Sequence, residues 1–394
     1  MIKDIVILVG GLGTRLGSIT KNTPKPLLKI NNICFLDQLI CKLIKYNFKN
    51  IYLMCSYKKE RFFNKYHNVF IHKTRIICID EGKAMGTGGA LFKIRNKIKN
   101  NFILLNGDTF FDVDFNILKN KQLNKKNVFM CITYKKNTIN NFKLNNIYIN
   151  KGVVSFSNKK TNFTNGGIYL INNIILKKIK NKYCSFENDI LKSEINKNKV
   201  IGNIFKDNFI DIGSHKKLNF LNKNPNIIKN KCFFLDRDGV INKERGYITN
   251  FKKFTFLNGV KKAIHFLNKK RYLVIIITNQ AAIGKGIITE KQLKIIHNKM
   301  RKELLLINKA CVDDIYYAPY FKNSKKLIYR KNKYDRKPNP GMIIKAEKKW
   351  NIDLSSSVFI GDKLTDKQAA IKSNLRFYYK KDVSLYKQVR SIIK

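Results

Sequence analysis

The chain has 394 residues, of which 79 are Lys or Arg and 26 are Asp or Glu, so its formal net charge is +53. Because 44% of the residues are hydrophobic and 12% are aromatic, a disordered basic tail is excluded, and the length predicts two domains with separate cores. The charge leaves open a nucleic-acid-binding protein, an enzyme for anionic substrates, or a codon bias toward Lys, Asn and Ile.

The cysteines and the apolar segments predict a compartment. Eight cysteines are scattered without the two-residue gap of a zinc knuckle or a redox motif, so we expect buried thiols in a reducing cytoplasm. We find neither a signal-peptide pattern nor a stretch of roughly 20 apolar residues. We therefore expect no membrane association, and the sequence does not indicate an oligomeric state.

Apolar runs of strand length alternate with helix-like stretches along the chain, which predicts parallel sheets covered by helices. The runs lie at residues 5–9, 51–54, 102–105, 233–235, 273–277 and 358–360. A polar stretch, LNKNPNIIKNK at residues 221–231, precedes a fresh buried-strand pattern. We predict an α/β protein with two doubly wound domains, residues 1–222 and 231–394, joined by a linker at residues 223–230.

A glycine-rich turn follows the first strand, where residues 5–28 read IVILVGGLGTRLGSITKNTPKPLL. Glycines let a backbone approach phosphate oxygens and turn N–H groups toward them, while Arg15 and Lys25 neutralise a triphosphate. The spacing matches neither the dinucleotide fingerprint nor the phosphate loop that ends in Gly-Lys-Ser/Thr. A glycine turn after a strand is often only a tight connection, so the specific indication comes from Arg15 and from Lys25 between Pro24 and Pro26.

This segment resembles the signature of the sugar-1-phosphate nucleotidyltransferases, and further motifs of that family follow in its order. They are GTGG at residues 86–89, NGDT at 106–109, NGGIY at 165–169, SFEND at 185–189 and Asp211 in FIDIGS. One departure is Val9, where an alanine is usual, and we expect it to crowd the first turn slightly. The sequences of these motifs most resemble those of the D-glycero-α-D-manno-heptose 1-phosphate guanylyltransferases, although they do not identify the residues that contact the base.

The resemblance implies that a sugar 1-phosphate attacks the α-phosphorus of a nucleoside triphosphate and expels pyrophosphate. Because this nucleophile is already ionised, positioning and charge neutralisation suffice. Asp108 and Asp211 would hold Mg²⁺, and Arg15 and Lys25 would act in catalysis by stabilising the leaving pyrophosphate. The implied nucleotide-binding residues are Gly10, Gly11, Gly13, Thr14, Arg15, Lys25, Gly86, Thr87, Gly88 and Asp108. The implied sugar-phosphate contacts are Lys159, Asn165, Gly166 and Glu187.

A second chemical pattern begins at residues 232–242, CFFLDRDGVIN, where Asp236 and Asp238 follow a buried strand. Two carboxylates this close repel each other unless a cation lies between them. An isolated Asp-x-Asp is a weak signal, for which a surface turn is the commoner explanation. Here its partners follow in order: Thr278 at a strand end, Lys337 in DRKPNPGM and Asp362 in VFIGDKLTD.

This constellation is similar to the haloacid-dehalogenase superfamily, in particular its heptose-bisphosphate and histidinol phosphatase branch. The resemblance implies that Asp236 attacks phosphorus and that Asp238 protonates the leaving oxygen and then activates water. Thr278 and Lys337 would stabilise the phosphoryl oxygens. Asp236, the Asp238 backbone and Asp362 would hold Mg²⁺. The implied substrate contacts are Glu244, Arg245, Gly246, Tyr247, Asn279, Gln280, Arg336, Lys337 and Lys363.

Two features of the second domain concern its surroundings. The segment between Asn242 and Thr278 is too short for an inserted cap domain, so we expect a capless phosphatase domain. The two resemblances together imply a Rossmann-like nucleotidyltransferase domain followed by this phosphatase domain. Relatives in this branch often carry a zinc loop. The matching positions here are Ala318, Tyr320, Lys333 and Asp335, so no zinc is expected. We expect the loop at residues 322–333 either to be ordered by packing of Tyr320, Phe321 and Tyr329 or to be mobile.

Both patterns on one chain predict a bifunctional enzyme of nucleotide-sugar biosynthesis. Removing the 7-phosphate of D-glycero-α-D-manno-heptose 1,7-bisphosphate yields the heptose 1-phosphate that a guanylyltransferase converts with GTP into GDP-heptose and pyrophosphate. The alternative is a mannose-1-phosphate guanylyltransferase joined to a phosphatase of other specificity, such as histidinol phosphatase. A nucleic-acid-binding protein on a degenerate enzyme scaffold is disfavoured, because the chemical residues are all present and no aromatic-basic binding module is recognised.

Overall fold

The computed structural model describes residues 2–71, 73–134, 147–180, 182–308, 310–324, 326–331 and 334–393. The chain divides into two compact units, Met1–Ile228 (unit 1) and Lys229–Lys394 (unit 2). Both units are α/β layers, which confirms the predicted fold class. Within the described ranges, no helix is long and apolar enough to cross a membrane.

Unit 1 is built on a large mixed sheet. Its strands are β1 (Asp4–Leu8), β2 (Lys29–Ile30), β3 (Ile33–Cys34), β4 (Asn50–Cys55), β5 (Phe70–Ile71), β6 (Thr74–Asp80), β7 (Phe102–Asn106), β8 (Thr109–Phe111), β9 (Val128–Tyr134), β10 (Ile147–Asn150), β11 (Val153–Phe156), β12 (Phe163–Ile171), β13 (Val200–Ile204) and β14 (Phe209–Asp211). Ten of these described strands form the sheet, in the order β10-β11-β13-β9-β12-β7-β1-β4-β6-β5. A short antiparallel pair, β2 and β3, lies apart.

The parallel centre of this sheet determines where a ligand can bind. Strand β1 pairs in parallel with β4 and β7, and β4 pairs in parallel with β6. Ile5, Val6 and Ile7 of β1 are fully buried, as expected for a strand covered on both faces. Because these strands run in one direction, the residues that follow them, including Gly10, lie at one edge, where open α/β sheets bind ligands.

Helices cover the two faces of this sheet. They are α1 (Ser18–Asn22), α2 (Phe35–Ile44), α3 (Lys59–Tyr66), α4 (Gly86–Gly89), α5 (Phe115–Asn120), α6 (Ile174–Lys178), α7 (Lys192–Asn196) and α8 (His215–Lys223). Shorter helical turns lie at Thr14–Leu16, Lys25–Leu27, Ala90–Ile94, Phe186–Leu191 and Pro225–Ile228. Helix α2 is buried nearly all round, since eight of its ten residues, including Gln38 and Lys42, are buried.

Unit 2 has a smaller sheet whose described strands are all parallel. They are β15 (Cys232–Leu235), β16 (Leu273–Asn279), β17 (Asp314–Ala318), β18 (Val358–Gly361) and β19 (Arg376–Tyr379), in the order β17-β16-β15-β18-β19. The helices are α9 (Val260–Lys269), α10 (Ala281–Gly284), α11 (Glu290–Asn308), α12 (Ile328–Lys331), α13 (Gly341–Trp350), α14 (Leu364–Ile371) and α15 (Leu385–Ile392), with a short turn at Phe251–Lys253. Strands β15, β16 and β18 are the buried centre, and their carboxyl ends meet at one edge.

Gly166 lies at an irregularity in β12, where the pairing with β9 shifts between Asn165 and Tyr169. A Cβ at Gly166 would lie 2.4 Å from the ring of Phe111 and 2.8 Å from the carbonyl oxygen of Cys131, so the strand can pass there only without a side chain.

We expect Gly166→Ala to lower the free energy of unfolding of unit 1 by about 1–3 kcal/mol, because the added methyl group overpacks a closed core. Urea unfolding followed by circular dichroism measures this loss. Gly11→Ala is the matched control, since a Cβ at Gly11 would meet no atom within 4 Å. Equal midpoints for Gly166→Ala and the unchanged protein would contradict the prediction.

Candidate active sites

The glycine-rich turn of unit 1 closes a pocket of about 210 Å³ at the carboxyl edge of the sheet. Its lining includes the predicted nucleotide-binding residues Gly11, Gly13, Thr14, Arg15, Lys25 and Asp108. Gly213, just after β14, shows how tightly the charges converge. A Cβ there would lie 2.6 Å from Oδ1 of Asp211, 3.4 Å from Nζ of Lys25 and 3.5 Å from Nη2 of Arg15. The structure therefore brings the predicted cations and aspartates together around one small cavity.

The two aspartates of this site meet through a short ribbon that pairs β8 with β14, with Thr109 opposite Asp211. The backbone N–H of Ile212 donates to the carbonyl oxygen of Asp108, so the aspartates lie side by side although they are distant in sequence. Each is paired with a lysine: Asp108 with Lys25, and Asp211 with Lys217. Lys217 was not predicted from the sequence.

Glu81 is a second residue that the sequence analysis missed. It follows β6 directly, and a Cβ on Gly10 would lie 2.7 Å from its Oε1, so Gly10 is needed for this close approach. Glu81 is buried, and the described residues offer its carboxylate no hydrogen bond or ion pair. Burial and the neighbouring Asp80 raise the pKa of Glu81 to about 7. The sequence feature that could have identified Glu81 is an acidic residue at the end of a central parallel strand.

The second glycine segment, α4, is joined to the predicted sugar-binding segment that contains Glu187. The Thr87 hydroxyl donates to Oε2 of Glu187 at 2.8 Å and accepts from the backbone N–H of Phe186 at 2.8 Å. The backbone N–H of Gly88 donates to the carbonyl oxygen of Cys184. Neither Gly86 nor Gly88 has space for a side chain against residues 183–186, so this contact depends on glycine.

The remaining predicted sugar contacts of unit 1 differ in their surroundings. Asn165 donates to the Tyr169 hydroxyl and accepts from the backbone N–H of Gly167, so its side chain is held at the bulge of β12. Gly166 packs against Phe111. Lys159 is exposed between β11 and β12 and does not line the glycine-turn pocket.

In unit 2, Asp236 lies immediately after β15 and forms a buried ion pair with Lys337, with Nζ 2.8 Å from Oδ1. Lys337 Nζ also lies 2.6 Å from Oδ1 of Asp366 and donates to the carbonyl oxygen of Ile277 at 2.9 Å. Burial raises the pKa of Asp236 to about 7, and Lys337 opposes that effect. Burial acts to lower the pKa of Lys337, but Asp236 and Asp366 raise it overall, so the lysine stays charged.

Three carboxylates of unit 2 lie close enough to share a metal ion: Asp236, Asp362 and Asp366 offer oxygens within 4.8 Å of one another. Oδ1 of Asp362 is buried and accepts no hydrogen bond from the described residues. Burial raises the pKa of Asp362. A clustered set of oxygens with one unsatisfied acceptor fits Mg²⁺, which binds carboxylates directly. Asp366 was not predicted from the sequence, although an acidic residue four positions after Asp362, at the start of α14, was a signal for it.

The Asp238 carboxylate is held by three side chains. Arg237 donates to both of its oxygens, at 2.8 and 2.9 Å, while Asn242 donates to Oδ1 and Gln280 to Oδ2, each at 2.9 Å. Burial acts to raise the pKa of Asp238, but Arg237 and the other donors lower it overall. The far side of Arg237 is bonded to His297 of α11, with Nη1 3.2 Å from Nε2.

A cavity of about 730 Å³ connects these groups in unit 2. Its lining includes the predicted residues Asp236, Asp238, Glu244, Gly246, Tyr247, Thr278, Asn279, Gln280, Arg336, Lys337 and Lys363. Arg245 is exposed and does not line the cavity. Lys363 reaches across to Glu244, with Nζ 2.8 Å from Oε2.

Tyrosines near the positions compared with the zinc ligands make hydrogen bonds to a carboxylate. Hydroxyl groups of Tyr317 and Tyr329 donate to the two oxygens of Glu290, at 2.9 and 3.0 Å. Arg336 donates to the carbonyl oxygen of Tyr320 at 2.9 Å. Lys333, one of the four positions compared with the zinc ligands, lies outside the described residues. The packing expected for Tyr329 is therefore accompanied by a hydrogen bond that the sequence did not indicate.

Comparison with known families agrees with this division. Residues 4–226 match the family model described as nucleotidyl transferase, and residues 231–385 match the one described as polynucleotide kinase 3 phosphatase.

Curated relatives match each unit separately. A D-glycero-alpha-D-manno-heptose 1-phosphate guanylyltransferase from Campylobacter jejuni is 38% identical over 53% of this chain and 93% of its own length. A D-glycero-alpha-D-manno-heptose-1,7-bisphosphate 7-phosphatase from Burkholderia mallei is 38% identical over 36% of this chain and 75% of its own length. A D-glycero-beta-D-manno-heptose-1,7-bisphosphate 7-phosphatase from Photorhabdus laumondii is 39% identical over 35% of this chain and 72% of its own length. The chain thus belongs to the nucleotidyl transferase family, and its second unit is a haloacid-dehalogenase-type phosphatase related to the heptose-bisphosphate 7-phosphatases.

Proposed function

We propose that the chain removes the 7-phosphate of D-glycero-α-D-manno-heptose 1,7-bisphosphate and transfers GMP from GTP to the resulting heptose 1-phosphate. The observation that carries this is the pairing of relatives on one chain. The sugar phosphate named for the relative of unit 1 is the product expected from the alpha-anomer relative of unit 2. The products are inorganic phosphate, pyrophosphate and GDP-heptose, made in the cytoplasm for a surface glycan.

In unit 2, an Asp236 oxygen forms a bond to phosphorus as the bond to the sugar oxygen breaks. Because its donors favour the carboxylate, Asp238 first takes a proton from the substrate monoanion and passes it to the departing oxygen. Asp238 then accepts a proton from water, which attacks phosphorus and releases phosphate and Asp236. The Thr278 hydroxyl, which accepts from Gln280 at 2.9 Å, keeps its own hydrogen for a phosphoryl oxygen.

In unit 1, an oxygen of the sugar 1-phosphate attacks the α-phosphorus of GTP, and the bond to pyrophosphate breaks. No protein base is needed, because the attacking phosphate is already an anion. The backbone of the glycine turn approaches the phosphate chain, and Arg15 and Lys25 neutralise charge that collects on pyrophosphate. Lys25 lies at Asp108 before substrate binds, so its ammonium group is already positioned in the pocket.

Magnesium is the cofactor that these carboxylates suit. Asp236, Asp362 and Asp366 would hold it in unit 2, together with the Asp238 backbone, and Asp108 and Asp211 would hold it in unit 1. When bound, the ion supplies positive charge to the phosphoryl oxygens. In unit 1 it would share the aspartates with Lys25 and Lys217. We propose no zinc requirement and no nucleic-acid or membrane partner.

Glu81 supports guanine as the base. Guanine presents two adjacent donors, N1–H and the N2 amino group, which one carboxylate can accept together. Adenine has an acceptor at N1, so it would face the Glu81 carboxylate unfavourably. The close approach of Glu81 to Gly10 puts this acceptor beside the turn that holds the phosphates.

The two reactions should separate by mutation. We expect Asp236→Asn to lower phosphate release from the bisphosphate roughly 10³-fold or more, because the nucleophile is lost. Pyrophosphate release from supplied heptose 1-phosphate and GTP should remain. Asp108→Asn is the reciprocal variant, with pyrophosphate release lost and phosphate release kept. Assays across both anomers, mannose 1-phosphate and histidinol phosphate identify the substrates, and failure to release both products from the bisphosphate and GTP would contradict the proposal.

Base selection should depend on Glu81. We expect Glu81→Gln to lower kcat/KM for GTP roughly tenfold while the value for ATP changes little, because a carboxamide has only one acceptor oxygen. Rates of pyrophosphate release with each of the four nucleotides measure this ratio. Glu60→Gln is the matched control, since it makes the same chemical change at an exposed residue of α3. An unchanged ratio of GTP to ATP in Glu81→Gln would exclude Glu81 from base selection.

Glu81 should also make stability depend on pH. Its carboxyl loses a proton near pH 4.5 in the unfolded chain but near 7 in the folded chain, so the folded state binds more protons between these values. The stabilising contribution of the protonated form is therefore lost as pH rises toward 8. Between pH 5 and 8 we expect the nucleotide-free protein to lose about 2–3 kcal/mol more stability than Glu81→Gln. Urea unfolding measures both stabilities, and an equal loss of stability in the two proteins would contradict this prediction.

A further inference from the structure

Arg237 is a buried cation whose side chain lies between two groups of unit 2. It is 1% exposed and donates to the Asp238 carboxylate through Nε and Nη2, while Nη1 lies 3.2 Å from Nε2 of His297. Because a guanidinium has donors only, Nε2 of His297 must be the acceptor, and the imidazole must carry its proton on Nδ1. A continuous series of hydrogen bonds therefore links His297 of helix α11 to Arg237, and Arg237 to Asp238.

The surroundings of His297 favour the neutral ring that this bond requires. His297 is 6% exposed, and burial together with Arg237 lowers its pKa to about 3. The other charged neighbours that affect it are Arg301, on the same helix, which also lowers the pKa, and Asp238, which raises it. His297 is thus an acceptor throughout the pH range in which enzymes of this kind are assayed.

Removing the acceptor would alter the position of Asp238 rather than the binding of substrate. An arginine side chain has several rotatable bonds, and Asp238 alone does not fix the far end of the guanidinium. With His297 in place, both ends of the planar group are held, and the plane of the Asp238 carboxylate is held with them. Proton transfer to a leaving oxygen is sensitive to such placement, since small displacements of a catalytic group reduce rates strongly.

We propose that His297 is a positioning residue for the phosphatase reaction, which acts by fixing Arg237 and, through it, the orientation of the acid and base Asp238. The inference depends on the phosphatase function proposed above. We expect loss of His297 to impair proton transfer. The nucleophile Asp236 and its contact with Lys337 should stay unchanged.

The test compares His297→Leu, which removes the acceptor, with His297→Gln, which restores an acceptor oxygen. Each is assayed on heptose 1,7-bisphosphate and on p-nitrophenyl phosphate, whose weakly basic leaving group needs little protonation. We expect His297→Leu to lower kcat about tenfold on the sugar bisphosphate with KM little changed, and only about twofold on p-nitrophenyl phosphate. His297→Gln should recover most of the lost rate.

His265→Leu is the matched control, because His265 is a half-buried histidine on α9 of the same unit. Pyrophosphate release by unit 1 and thermal unfolding check that each variant is folded, and His297→Met replaces His297→Leu if the leucine variant is insoluble. Equal losses on the two phosphates, or no loss on either, would overturn the inference while wild-type phosphate release still supports the phosphatase function. Absence of phosphate release by the wild-type protein would instead count against the function itself.

Discussion

Ion pairs between lysines and aspartates at strand ends organise the sites of both units. Moving an ion from water into a protein interior costs several kcal/mol unless a partner compensates it. Asp108 is paired with Lys25, Asp211 with Lys217, and Asp236 with Lys337. In each of the first and third pairs the lysine comes from a distant part of the sequence, so the ion pair fixes a loop against the sheet. The fold itself therefore holds these lysines at the two sites, where we propose that phosphate groups bind.

This arrangement changes the meaning of the +53 net charge. Among the described residues, the buried cations are Lys25, Lys42, Lys217, Arg237 and Lys337. All except Lys42, which pairs with Asp112, contact an aspartate of one of the two sites. Most of the remaining lysines and arginines lie at least partly exposed, where solvent and salt screen them. The buried cations that contact these aspartates are thus a small part of the 79 lysines and arginines, as the codon-bias interpretation of the composition predicts.

The sequence predicted what is encoded locally. Continuous apolar runs identified the buried strands, so the run at residues 5–9 corresponds to β1 at Asp4–Leu8, and aspartates beside such runs indicated the edge where ligands bind. Contacts between distant segments were not predictable in the same way. Glu81 approaches Gly10 because β1, β4 and β6 are neighbours in register, and His297 reaches Arg237 because of the rotational position of α11. A single sequence does not specify such distances.

The Glu290 carboxylate accepts hydrogen bonds from two tyrosines beside the segment for which the resemblance implies a zinc loop in relatives. A bound zinc ion can contribute on the order of 10 kcal/mol to local folding, whereas a hydrogen bond to a charged group contributes about 1.5–3 kcal/mol. Two tyrosine hydroxyls on the Glu290 carboxylate therefore hold the segment around Tyr329 more weakly than a metal would. Arg336 is anchored separately, through the Tyr320 carbonyl oxygen, and it lines the phosphatase cavity. The contacts of Asp236, Asp238 and Lys337 are made with residues outside the segment around Tyr329, so that arrangement does not rest on it.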